Sequence, residues 1–458
     1  MKRKNVKPLA AIFKGLFLGV FLLVGALSLH RVGILKAKRG IASASETAPL
    51  DRYWRYRTNL LNSFVWVGDE PGESVPAPIL MGGSLFYADS TCYLGQYLSV
   101  LATELALLRK SGADTKAVRM EIFYALNAFD RLSKHANQRA GIPDRIDGYF
   151  VREDIPVDFL KNRPMKDVQG IEAGSVDEAR GLGVVGNEVS QDQVISLLAG
   201  YRLLGKFLDE KDDWNGRNLR RMVNRQVESM VRYVNGNGKR KAWRIVRPDT
   251  GKNVDKGPDA RIFSGPILEA ARQVTGEEAL DDLSRDWSSL LLMPVLGATP
   301  LPYQWFTRSM IFVLGSISNT WGAHTQRAFK RLDKMYDIPM YPLQHAVIFD
   351  KKLHPKSRLT QNFFLGMLNN APDNGPVQSD MNSWNSPDRF YSHRRTRANP
   401  PVYKEGDWYF SAGDRFSGLD YMTLHNLYLL YFQPEEVSKY SPSKDYLDRL
   451  QFQTKIVL

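Results

Sequence analysis

The sequence predicts an all-α fold of stacked helical hairpins with long loops and little β structure. Three observations carry that expectation. Apolar residues recur at spacings of three and four along most of the chain, the helical segments fall into pairs joined by short Gly/Asp-containing turns, and strand-like alternation is scarce. Antiparallel pairs bury their apolar stripes only by stacking on neighbouring pairs, and closing a stack of about ten to twelve helices into a ring removes its exposed ends.

Composition agrees with a packed body. The chain has 458 residues, 43% apolar, 24% charged and 11% aromatic, which excludes a disordered or collagen-like polymer. The single cysteine, Cys92, excludes an internal disulfide framework and a Cys-rich zinc site. The net charge is +13, but residues 1–45 hold nine Lys/Arg and no Asp or Glu, leaving +4 for the other 413 residues. A body so nearly neutral lacks the footprint of a nucleic-acid-binding domain.

Taking the segments in order, Lys2, Arg3, Lys4 and Lys7 precede the run GLFLGVFLLVGALSL, Gly15 to Leu29. A spanning helix needs about 20 residues, so this run suits the apolar region of a secretory signal, and Ala26 with Ser28 forms a small-x-small cleavage pattern. The basic stretch Arg31 to Arg39 follows at once, and Leu9 to Leu29 reaches spanning length if Lys14 is tolerated. Residues 1–45 are therefore expected to be a signal peptide or membrane anchor, and 46–458 a single domain. The protein is expected to be exported, periplasmic or at the cell surface, with residues 9–29 as the alternative inner-membrane anchor.

The stretch 90–110 carries Tyr93, Leu94, Tyr97, Leu98, Leu101, Leu105 and Leu108 on one stripe, and 115–134 repeats the pattern with Val118, Ile122, Leu126, Phe129 and Leu132. A second pair follows at 190–209 and 217–235, with weaker helical patterns at 264–275, 279–293, 304–332, 356–370 and 418–432. Strand candidates are confined to 241–247 and 407–411. The loops 135–189, 236–262 and 371–417 are long, polar and rich in Gly and Pro; loops longer than about 15 residues in a compact chain are usually functional. The apolar stretch 287–322 is broken by Pro294, Pro300 and Pro302, which suits core helices better than a span.

Paired helices, acidic and aromatic loops and an export signal resemble the six-hairpin (α/α)6 toroid glycosidases and polysaccharide lyases. The segments that carry the likeness are GSLFYADSTCYLGQYLSVLATELALL (83–108), IPDRIDGYFVREDIP (142–156), NEVSQDQVISLLAGYRLL (187–204) and GLDYMTLHNLYLLY (418–431). The resemblance implies an (α/α)6-type toroid, with acidic residues at the starts of inner helices and a carbohydrate substrate. It is one of superfamily architecture, and fold by itself does not fix function.

Asp89 and Asp192 sit at predicted helix starts. Asp89 suits an N-cap, and Ser190 with Gln193 reads as a capping box. The functional alternative is that both helices open onto one rim, where helix N-termini keep carboxylates ionised. A general acid needs a drier, unpaired setting, so it is expected from the loop 142–158: Asp147 or Glu153 first, with Glu188 a further candidate. Asp89, Asp147, Glu153, Asp192 and Glu188 are thus the expected catalytic set. The same loop could instead form a Ca²⁺ site from Asp144, Asp147 and the Asp154 region, although its spacing matches no EF-hand; otherwise no cofactor is expected. Substrate contacts are expected from Tyr87, Tyr149, Arg152, Gln193, Asp380, Trp384, Asp420 and His425. Trp384 and Tyr149 offer flat faces for sugar rings; the alternative for Trp384, with Phe390, is that they pin a long loop to the body. His425 on an apolar helix face reads first as a core residue; second, His425 or Tyr421 could be the base of a β-elimination at a uronic acid, with an Arg neutralising its carboxylate.

Motif searches narrow the field: there is no phosphate-binding P-loop, dinucleotide fingerprint, zinc-protease helix or nucleophile elbow. The leading expectation is a glycoside hydrolase using paired carboxylates on an oligo- or polysaccharide. The rivals are a lyase acting on uronic-acid polymers and a non-catalytic envelope protein that binds or helps assemble glycan.

Overall fold

Helices that are apolar all round sit inside a fold, and helices with one apolar stripe flank it. This chain has both kinds. In the computed structural model the described residues are 48–81, 84–87, 89–142, 145–156, 158–166, 170–171, 189–236, 243–253, 260–287, 289, 304–319, 340–353, 359–369, 371 and 415–457. The chain divides into two units, Met1–Ala44 and Ser45–Leu458. The predicted signal or anchor, 1–45, lies outside the described residues, and among those described no helix is long and apolar enough to cross a membrane.

The described part of the second unit is mostly helical, with eleven α-helices. They are α1 (Leu50–Ser63), α2 (Ser90–Ser111), α3 (Lys116–Arg139), α4 (Gln191–Phe207), α5 (Leu219–Asn235), α6 (Ala260–Thr275), α7 (Gln304–Ile317), α8 (Met340–Ile348), α9 (Gln361–Asn369), α10 (Leu419–Phe432) and α11 (Lys444–Thr454). The predicted pairs are α2 with α3 and α4 with α5, and each pair is in contact. Three helices were not anticipated: α1, α8 and α11. Over 279–286 the predicted helix is absent: a 3₁₀ turn spans Glu278–Leu280, and the Arg272 guanidinium takes up the Leu280 and Leu283 carbonyls; 287 and 289 are helical, and the rest of 288–293 lies outside the described residues. Of the strand candidates, 241–247 contributes one isolated bridge, Val246 with Asn253, and 407–411 lies outside the described residues.

α2 and α4 are buried around most of their circumference, as is α10 over Leu419–Leu429. α3 and α5 each bury one stripe. α2 contacts α4, α4 contacts α7, α7 contacts α8, α8 contacts α10, and α10 returns to α2. α2 and α4 run parallel: Gln193 reaches Asp89 at their N-termini, and at the far ends Arg109 donates to the Phe207 carbonyl at 2.5 Å. Glycine at their crossing lets the backbones touch. A methyl group at Gly95 would sit 2.2 Å from the Ser196 carbonyl oxygen, and one at Gly200 would sit 2.3 Å from the Gly95 carbonyl oxygen.

A small sheet gathers the helix entrances. Its order is β3 (Gly170–Ile171), β2 (Ser84–Phe86), β1 (Ile79–Met81), β6 (Arg415–Phe416). β1 pairs antiparallel with β2 and with β6, and β2 pairs parallel with β3. β2 leads into α2 and β6 into α10, so these two helices begin at the same end of the domain. A separate short hairpin, β4 (Asp213–Trp214) with β5 (Arg217–Asn218), tightens the α4–α5 turn.

The crossing yields a testable expectation. Gly95→Ala or Gly200→Ala forces apart two backbones that have no room to give, so each variant should lose about 2 kcal/mol or more of unfolding free energy in urea titration. Gly205→Ala, whose new methyl would meet only side-chain atoms at 3.2 Å and beyond, should lose less.

Candidate functional site

The paired N-termini of α2 and α4 hold the densest group of expected site residues. Asp89 occupies the N-cap position of α2 but does not act as its cap. Its backbone is left-handed, with φ 61° and ψ 26°, and its carboxylate accepts no hydrogen bond from the first turn of α2. The carboxylate is turned sideways: Arg152 Nη1 donates to Oδ1 at 2.7 Å, and Gln193 Nε2 donates to the same oxygen at 3.1 Å. Asp is one of the few non-Gly residues that enters this backbone region at modest cost. The simple reading of Asp89 as a helix cap is therefore corrected, because its side chain serves a neighbouring helix and loop.

The predicted capping box of α4 is present. Ser190 N donates to Gln193 Oε1 at 3.0 Å, which leaves the Gln193 amide nitrogen to face Asp89. One side chain thus caps α4 and clamps the acid at the start of α2. Asp192, in the first turn of α4, is 2% exposed; it accepts from the Ser190 hydroxyl, and Cys92 Sγ lies 3.9 Å from its Oδ2.

Arg152 reaches Asp89 because its loop is pinned on both sides. Val151 N donates to Leu132 O, Val189 N donates to Phe150 O, and Asp154 is paired with Arg131 and accepts from Gly72 N at 3.0 Å. Glu153, 4% exposed, accepts from Ile155 N at 2.8 Å. Burial, and after it the charge of Glu153, push the Tyr87 phenol up from its ordinary value, so Tyr87 and Glu153 share one buried neighbourhood. The fold thus gathers Tyr87, Asp89, Arg152, Glu153, Asp192 and Gln193.

Other expected residues lie elsewhere. Asp147 accepts from Asn137 Nδ2 at 2.9 Å and Tyr149 N at 3.1 Å, and it faces Arg145 Nε at 3.0 Å. That is a loop-closing role at the end of α3. Tyr149 is buried against Tyr233 with ring centroids 5.3 Å apart, so its face is covered rather than presented to a sugar. Asp420 begins α10, fully buried, with Tyr421 N donating to it at 3.2 Å. His425 is also fully buried, stacked on Tyr53 at 4.8 Å, with Nδ1 3.2 Å from Asn426 Oδ1. Glu188, Asp380 and Trp384 lie outside the described residues, as does Asp144 of the calcium alternative. Among the described residues no group of three or more His, Cys, Asp or Glu is arranged to hold a metal ion.

The sequence hid one feature of this site, the left-handed start of α2. A polar residue before a helix reads as a cap, and nothing local marks it as turned away. Comparison with protein-family models, with curated proteins and with solved structures finds no match to this chain.

Two outcomes test the geometry. Asp89→Asn keeps a side chain suited to the left-handed start and should fold as the parent does, whereas Asp89→Val places a β-branched residue there and should lower stability by about 2 kcal/mol in urea titration. The second concerns His425, whose imidazole is held by burial down to about 4. The unfolded chain takes up this proton below about 6.5, so the stability of the neutral ring is full above that pH and is lost as pH falls towards 4. His425→Gln should flatten this acid limb in thermal melts, and the parent His425 resonances should titrate well below those of an exposed histidine.

Proposed function

We propose that the protein is a carbohydrate-active enzyme, a glycoside hydrolase, on an (α/α)6-type toroid of helical hairpins. The closed circuit of contacts through α2, α4, α7, α8 and α10 supports the ring. The observation that carries the catalytic reading is Asp89, a buried carboxylate released from capping and clamped by Arg152 and Gln193 beside the start of the helix that bears Asp192.

Glycoside hydrolysis needs two carboxyl groups about 5–9.5 Å apart with different proton affinities. Asp89, paired with the Arg152 guanidinium and the Gln193 amide, is the base or nucleophile in this reading. Glu153, buried beside Tyr87, is the acid in this reading; Asp147, already engaged by Asn137 and Arg145, is the weaker choice. Asp192, supplied by the Ser190 hydroxyl and near the Cys92 thiol, suits a clamp on a sugar hydroxyl. In this reading substrate reaches the end of the domain where α2, α4 and α10 begin, and residues 1–45 export or anchor the enzyme. The lyase alternative asks His425 or Tyr421 to take a proton from substrate, and both are 0% exposed, against 2–4% for Asp192, Asp89 and Glu153.

The test uses the exported protein on a panel of soluble neutral and uronic-acid polysaccharides. New reducing ends without the ultraviolet absorbance of an unsaturated uronate are expected, and the rate should fall at least about 100-fold in Asp89→Asn, Asp192→Asn and Glu153→Gln. Appearance of that absorbance would make the enzyme a lyase. Glycan binding without turnover, equal in parent and variants, would make it a binding protein.

A further inference from the structure

Away from the candidate site, the helix framework encloses a cluster of charges that does not balance among the described residues. Arg57 of α1, Glu104 of α2 and Glu121 of α3 are all fully buried, so one cation meets two carboxyl groups out of reach of water. Tyr53 on α1, Tyr97 on α2, Tyr446 on α11, Asn426 and His425 on α10, and Tyr440 just before α11 complete the surroundings. A bare negative charge at such depth costs far more than a shared proton. The cluster therefore needs one proton beyond those of its tyrosines and guanidinium.

The hydrogen bonds say where it goes. Glu121 is fully supplied as an anion: Arg57 Nη2 donates to Oε1 at 2.5 Å, the Tyr446 hydroxyl donates to the same oxygen, and the Tyr97 hydroxyl donates to Oε2. Glu104 is supplied on one side only. Oε2 accepts from Arg57 Nε at 2.8 Å and from the Tyr53 hydroxyl at 2.5 Å, while among the described residues Oε1 meets only Arg57 Nη2 at 3.5 Å. His425 is a poor host, because its Nε2 is buried with no hydrogen-bond partner among the described residues and a second N–H there would go unsatisfied.

We propose that this cluster is a proton-linked lock: Glu104 is held as the neutral acid, its proton on Oε1 while Oε2 accepts from the Tyr53 hydroxyl and Arg57, and loss of that proton at higher pH loosens α1 and α11 from α2 and α3. The electrostatics agree, since burial and the charge of Glu121 raise Glu104 above the ordinary carboxylate range in spite of Arg57. The sign follows from linkage. A carboxyl group whose folded value is raised contributes its full stability below the unfolded value of about 4.5, and that contribution is lost as pH rises through the folded value. The lock is closed in acid and opens towards alkali.

Thermal melts of the full chain from pH 5 to 9, for the parent, Glu104→Gln and Glu121→Gln, test the lock. Gln copies the neutral acid, so Glu104→Gln should melt within a few degrees of the parent at pH 5 and should lack the parent's decline towards pH 9. Glu121→Gln removes the true anion and should melt lower at every pH. Infrared spectra at neutral pH should show the carbonyl band of one buried protonated carboxyl group, absent from Glu104→Gln. A Glu104→Gln protein that fails to fold, that declines towards alkali as the parent does, or that leaves the infrared band in place overturns the proposal. So does a Glu121→Gln protein that matches the parent.

Discussion

The contact on which the rest of the domain rests is the crossing of α2 and α4 at Gly95 and Gly200. Glycine inside a helix costs about 0.5–1 kcal/mol relative to alanine, because the unfolded chain loses more freedom. Here that cost is offset by direct backbone contact between two parallel helices, with Ser196 O filling the space of the missing methyl. Close parallel packing has a second effect: it brings both N-termini, with their unsatisfied N–H groups and positive dipole ends, to one place. Asp89, Asp192 and Gln193 meet there because the helices behind them cannot separate.

Electrostatics finish what packing begins. The loop that delivers Arg152 and Glu153 is short of regular hydrogen bonds, and ion pairs hold it in their stead. Arg131 joins Asp154 to the carbonyls of Asp69 and Glu73, while Arg163 pairs with Glu73 at 2.6 Å. On the other side of α2, Arg57 draws Glu104 and Glu121 together and so ties α1, α2 and α3 to α11 through Tyr446. Buried ion pairs seldom add much net stability, because desolvation consumes most of the Coulomb gain. Their service here is to specify one arrangement: a shifted helix would leave a bare charge in a dry interior.

Much of this was legible in the chain itself, and the omissions have identifiable causes. The stripes of Leu and Val on α2, α3, α4 and α5 announce helices because their period is local. The capping box at Ser190 and Gln193 is legible for the same reason, since both partners lie within one turn. α1 is not legible in the same way because its buried face, Tyr53, Trp54, Tyr56, Arg57, Leu60, Leu61 and Ser63, carries a charge and several polar groups among its apolar residues. α11 is hidden for a similar reason, with only Tyr446, Leu450 and Gln453 turned inward. The short strands of the sheet have no alternation to detect. They pair because residues 337 positions apart, Ile79 and Phe416, are brought side by side by the helices that follow them.

What the amino-acid order determined by itself was the helical class, the hairpin pairing and the acidic character of the helix starts, since each depends on residues within a few positions of one another. Which acids share a neighbourhood was decided only in three dimensions. Asp89 looks like a cap in sequence and becomes a clamped carboxylate once Arg152 and Gln193 arrive, 63 and 104 residues later. Tyr149 looks like a platform and becomes part of the core against Tyr233. The physical reason is common to both cases: a side chain's protonation, exposure and partners are set by what surrounds it in space, and those surroundings are drawn from distant parts of the chain.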